Sequence, residues 1–168
     1  MSRLFPHSDY EEDQPWAKTI LTYHVLYRSF QSGAVVGLGI GAARSLIQRK
    51  PLAAAALVQA GYGALVGTAL MIPGLPFYMR GKTDIEWKDR SWRLLEHQGQ
   101  KEVDDWGTVG TIAGALAVAR SQAMRQGGAV ALVKLTGGAA IGNLVGVMGY
   151  MAWRYGVNGG KWPEKSPA

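Results

Sequence analysis

The chain has 168 residues, a formal net charge of +6, 23 glycines and no cysteine. The length is about that of one domain, and the absent thiol excludes disulfides, thiolate metal sites and a cysteine nucleophile. The positive charge does not point to nucleic acid, because the basic residues sit at the ends of uncharged runs, where membrane topology accounts for them.

The mean hydropathy is close to zero, yet the charges are clustered. None falls in 29–43, 51–79, 106–119 or 135–153. A membrane-spanning helix needs about 20 mostly apolar residues. The second and fourth runs meet this unaided, and the other two reach it if a terminal arginine extends to the interface. Glycine makes up roughly twice its usual share of about 7% and lies mostly inside these runs. There it costs a soluble helix about 1 kcal/mol against alanine, whereas in lipid it lets backbones approach closely. The predicted fold is therefore all-α: a polytopic membrane protein with four glycine-rich transmembrane helices in two hairpins.

In chain order, residues 1–22 form a segment outside the membrane. Asp9, Glu11, Glu12 and Asp13 make it unlike a secretory signal or an arginine-rich transit peptide, so targeting information is expected in the helices. The first hairpin, 23–79, is predicted as a helix over 27–47, a basic loop with Arg44, Arg49 and Lys50, and a helix over 53–78 that ends or kinks at Pro73 and Pro76. Gly33, Gly37 and Gly41 in the first helix and Gly63 and Gly67 in the second are four apart and share a helix face. The run Gly37-Leu38-Gly39-Ile40-Gly41-Ala42 also fits a dinucleotide loop. That loop requires a preceding strand and an acidic residue about 20 positions on, and position 61 is glycine.

The central segment, 80–105, holds Thr83 and Glu86 in capping-box spacing. Ile85, Trp92 and Leu95 are predicted to form the apolar stripe of an amphipathic helix lying on the membrane surface or against a partner. Asp104 and Asp105 are expected at the interface, facing water. The second hairpin, 106–155, is predicted as a helix over 106–124, a basic loop with Arg120 and Arg125, and a helix over 128–153. Gly110 and Gly114, then Gly138, Gly142 and Gly146, repeat the ridge spacing, and Lys134 is expected to extend toward the basic end. The tail is 156–168. Leucine at Gly37 or Gly142 is expected to force the helices apart, with alanine much milder.

Shifted by 76 positions, the chain matches itself weakly. Arg44 falls on Arg120, Arg49 on Arg125, Gly61 on Gly137 and Ala64 on Ala140. Each unit contains two spans, so both units share one orientation. The acid-free loops place the hairpin turns in the cytosol-equivalent compartment and both termini outside; six basic residues over 80–101 argue the other way. Aromatics from Tyr23 and Tyr27 through Trp106 to Tyr150, Trp153 and Tyr155 are expected as an interfacial belt at the end opposite the arginines, with Tyr62 alone in mid-helix. Arg44, Arg49, Lys50, Arg120 and Arg125 either bind anionic lipid, cardiolipin being the expected one, or only set orientation.

Little in the chain suggests chemistry. His7, His24 and His97 lack metal-ligand spacing. No serine sits in a nucleophile elbow, and no carboxylate is expected within a span. A channel should show a polar stripe down one helix face, and the candidates for it inside the predicted spans are few, namely Gln59, Thr68, Thr136 and Asn143. Neither an enzymatic role, nor a cofactor or metal of the chain's own, nor a nucleic-acid partner is expected.

The run Trp87-Lys88-Asp89-Arg90-Ser91-Trp92-Arg93-Leu94-Leu95-Glu96, with Gly99-Gln100 and Val103-Asp104-Asp105-Trp106, resembles the NUXM-type accessory subunits of fungal mitochondrial respiratory complex I. The four-helix layout is similar, more distantly, to the Tim family of inner-membrane protein translocases. The first resemblance implies a non-catalytic accessory subunit of the complex I membrane arm, in the mitochondrial inner membrane. It further implies hairpin loops in the matrix, termini in the intermembrane space, and other membrane subunits of a large hetero-oligomeric complex as partners. The second implies a translocase or channel subunit.

Overall fold

The computed structural model describes residues 2–49 and 51–160, with side chains at all of these except 2, 54, 123 and 126. Lys50 and the last eight residues of the tail lie outside the described residues. Five α-helices are present among them: α1 (Ala17–Gln48), α2 (Leu52–Tyr78), α3 (Asp84–Glu96), α4 (Gln98–Ala119) and α5 (Gly128–Met151). A π-helical turn, Ala152–Val157, continues α5, and a 3-10 turn, Gln122–Gln126, separates α4 from α5.

Two helices start well before their uncharged runs. The first begins at Ala17 rather than 27, and α4 begins at Gln98 rather than 106. In both cases the added turns carry charges whose partners lie elsewhere in the fold. Helix α2 runs through Pro73 and Pro76 to Tyr78 and does not end at either proline. Its cap is made by the Met79 N–H, which donates to the Leu75 carbonyl at 2.9 Å.

Three helical stretches are long and apolar enough to cross a membrane: Ala17–Gln48, Ala55–Tyr78 and Gly128–Val157. Helix α4 is not among them. Its first turns hold Lys101, Glu102, Asp104 and Asp105, and its uncharged stretch, 106–119, covers about 21 Å at 1.5 Å per residue against an apolar bilayer core of about 30 Å.

The packing is inverted relative to a protein folded in water. Ala34, Ala60, Ala64 and Ala140 are fully buried, while Val36, Ile40, Leu70, Val145 and Met148 face outward. Burying large apolar groups drives folding in water. In lipid it contributes little, and close backbone contact takes its place. Small residues inside and large ones outside is the distribution a bilayer favours.

Helices α1 and α2 pack antiparallel, as do α4 and α5, and α2 lies beside α5. Because α1 also runs antiparallel to α5, with Gln31 facing Asn143, α2 and α5 run parallel. Helix α3 lies across the start of α1. Its exposed carboxylate Glu86 accepts from the Thr83 N–H at 2.8 Å, closing the expected capping box.

The apolar stripe of α3 differs from the predicted one. Ile85 is exposed, while Leu95 and Ser91 are buried and Trp87 packs on Leu21, Leu75 and Met79. Trp92 turns to the N-terminal arm and donates from Nε1 to the Ser8 carbonyl at 3.0 Å, and Lys88 donates to the Glu12 carbonyl at 2.8 Å. Within this chain, α3 therefore binds the arm, the start of α1 and the end of α2. The periodicity identified an amphipathic helix, but an arm distant in sequence determined which face it buries.

Candidate functional site

The glycines set the separation of the helices. A Cβ at Gly33 would overlap the Gly63 carbonyl, one at Gly37 the Gln59 carbonyl, and one at Gly63 the Gly33 carbonyl. At Gly67 it would lie 2.6 Å from the Ser29 oxygen. Gly41 is looser, its nearest neighbours being the Ala55 oxygen and the Gln59 Cβ at 3.3 Å. The other pair repeats this: Gly110 meets Gly142, Gly114 meets Gly138, and Gly146 meets the Trp106 carbonyl, while Gly138 also abuts Val118. Corresponding glycines are offset by 77 between α1 and α4 and by 79 between α2 and α5, rather than by a uniform 76.

The offset of 76 has another meaning. Residues that far apart meet across the boundary between the two pairs. A Cβ at Gly61 would overlap the Val133 carbonyl and one at Gly137 the Leu57 carbonyl, so these two glycines form the α2–α5 contact. Ala64 and Ala140 join Ala34 in one buried cluster. Sequence reasoning found Gly61 and Gly137 as repeat positions but missed them as packing positions, because neither belongs to a ridge of glycines four apart.

Above this cluster lies a buried polar network that the sequence did not reveal. Arg28 Nη2 donates to Asp104 Oδ1 at 2.8 Å and Nη1 donates to Gln31 Oε1 at 2.6 Å. Gln31 Nε2 donates to Asn143 Oδ1 at 2.7 Å. The Asn143 amide nitrogen shares its two hydrogens among three acceptors, the Tyr27 hydroxyl at 2.6 Å, Thr111 Oγ1 at 2.8 Å and the Gly107 carbonyl at 3.1 Å. Gln100 also donates to Asp104, at 3.0 Å. Asn143 is fully buried, and Asp104 keeps only 2% of its surface exposed. The network joins α1, α4 and α5. An isolated polar group in such a setting would cost several kcal/mol, and here each amide finds partners.

Several expectations are corrected by this arrangement. Asp104 faces inward to Arg28 and does not face water. Its neighbour Asp105 accepts from Arg3 Nε at 2.6 Å. Tyr27 and Tyr150 belong to the interior rather than to an interfacial belt: Tyr27 through Asn143, and Tyr150 by burial beneath Trp106. Phe77, Tyr78, Trp153 and Tyr155 remain exposed at that end.

Arg44, Arg49, Arg120 and Arg125 are exposed at the end of the molecule opposite α3, and Lys134 is half-buried in α5. The fifth expected lipid contact, Lys50, lies outside the described residues. His97 caps α4, its Nδ1 accepting from the Gln100 N–H at 3.2 Å. His7 lies 3.7 Å from Glu96, and His24 lies on α1. Among the described residues no three His, Cys, Asp or Glu side chains converge as a metal site.

No protein-family model, curated protein or solved structure matches the chain.

Proposed function

We propose that this chain is a non-catalytic accessory subunit of the membrane arm of mitochondrial respiratory complex I, in the inner membrane. One observation carries the reading. The seam between the helix pairs is filled by glycine backbone contacts, buried alanines and a closed hydrogen-bond network, which suits a rigid scaffold better than a conduit. The residues that carry the resemblance also have structural work here. Trp92 and Leu95 hold α3, and Asp104 anchors the network.

In this reading α4 is the fourth span of a two-hairpin protein. Two of its early charges are paired within the chain, Asp104 with Arg28 and Asp105 with Arg3, and local thinning of the bilayer accommodates its length. The arginine-bearing turns face the matrix, where they meet anionic lipid such as cardiolipin, and the termini face the intermembrane space. Redox chemistry belongs to other subunits.

Blue-native electrophoresis of mitochondrial membranes, followed by mass spectrometry of the bands, tests this. Co-migration with complex I subunits is expected. Co-migration with a protein translocase, or a small band containing only this chain, would overturn it.

A further inference from the structure

The outer face of the α1–α2 pair carries a furrow of two adjoining cavities, about 520 and 330 Å³, that share Gly33, Val36, Gly67 and Leu70. Gln59 and Tyr62 line its inner part. Both lie inside the apolar stretch of α2, just over one turn and about two turns beyond Ala55. Among the described residues neither the Gln59 amide nor the Tyr62 hydroxyl makes a hydrogen bond. Hydrocarbon cannot satisfy such groups, and each one left unpaired there is costly.

The α4–α5 pair carries the corresponding furrow, about 630 Å³, floored by Gly110, Gly142 and Gly146. With the offset of 79 that relates the glycines of α2 and α5, the counterparts of Gln59 and Tyr62 are Gly138 and Ile141. That face offers no side-chain polar group at the same depth and suits lipid. The two pairs share one backbone arrangement, and the polar groups occur on one of them.

We infer that the α1–α2 furrow docks a transmembrane helix of a neighbouring subunit, one bearing a side chain that both donates and accepts hydrogen bonds opposite Gln59 and Tyr62. Small residues on the floor admit a helix closely, and polar side chains hold it, the two features that drive helix association in lipid. An acyl chain would fill the volume and leave both polar groups unpaired. The inference rests on the accessory-subunit reading and names the face through which that subunit attaches.

The test places a photo-crosslinking benzoylphenylalanine at Tyr62, with Ile141 as the control, in the full chain in mitochondria. Crosslinking of position 62 to a transmembrane peptide of another subunit, and of position 141 to lipid, is expected. Gln59→Leu should reduce retention in the large complex about threefold, the worth of one hydrogen bond between membrane helices, while the membrane content of the chain stays unchanged. Capture of lipid alone or of a second copy at position 62 would overturn the inference. So would full retention of Gln59→Leu combined with Tyr62→Phe. If the chain still migrates with complex I in those cases, only the docking face is wrong. If it migrates with no larger complex, the accessory-subunit reading fails as well.

Discussion

Arg28 and Asp104 are 76 residues apart and pair at 2.8 Å, the same sequence offset at which Gly61 meets Gly137. The ion pair therefore ties the first helix of one pair to the first helix of the other. Its carboxylate is nearly sealed, while the guanidinium keeps about a quarter of its side chain exposed.

Removing one partner leaves a buried charge uncompensated, which costs about 3–5 kcal/mol. Arg28→Met should accordingly lower the thermal stability of the purified protein sharply. Arg28→Met combined with Asp104→Asn should recover much of the loss, since no charge is stranded. A double variant no better than the single one would show that the pair is not the source of the effect. Detergent-solubilised melting curves read both.

The glycine contacts set a stricter rule than spacing alone suggests. At Gly37 and Gly142 the neighbour of an added Cβ is a backbone carbonyl, which cannot rotate aside. Gly37→Ala and Gly142→Ala should therefore cost about 1–3 kcal/mol, and the leucine variants more, with lower steady-state amounts in the membrane. Gly39, between two ridge positions, has nothing within 4 Å of its Cβ site. Gly39→Ala should be neutral or slightly stabilising through helix propensity. Quantitative blotting of the three alanine variants separates contact from composition.

The capping box at α3 should confer a pH dependence. The Thr83 backbone N–H, and then Lys82, hold the Glu86 carboxyl below its ordinary value. A depressed folded-state pKa means that the stabilisation is present above the unfolded value and disappears as pH falls through the folded one. The protection of the first-turn amides of α3, their exchange rate relative to the intrinsic rate at each pH, should therefore be constant from neutrality into the ordinary carboxylate range and fall below it. Glu86→Gln should abolish that change.

Orientation can be read with single cysteines in this cysteine-free chain. Gln48 and Gln98 lie at opposite ends of the molecule, at the end of α1 and the start of α4. With matrix-facing turns, an impermeant maleimide should label position 98 in sealed mitoplasts and position 48 only after permeabilisation. Labelling of 48 alone in sealed mitoplasts would reverse the orientation.

The exposed arginines at the turns should matter for lipid content. Arg49→Gln with Lys50→Gln should reduce the cardiolipin retained on the purified complex, with assembly intact. Unchanged lipid in that variant would leave these residues a topological role only.

By itself the sequence determined the elements that depend on local pattern. Uncharged runs marked the helices, glycines spaced by four marked the faces along which each pair would close, and Thr83 with Glu86 marked the start of α3. These are properties of one helix at a time, so residues close in sequence suffice to show them. Only the tertiary structure decided what the interior holds. Asn143 looked like an isolated polar residue in an apolar run, and Asp104 like a charge at an interface. Their partners, Gln31 and Arg28, are 112 and 76 positions away, and a hydrogen bond between helices leaves no periodicity in either. For the same reason the early starts of α1 and α4 were hidden: their charges read as helix ends until the fold supplied the opposite charge.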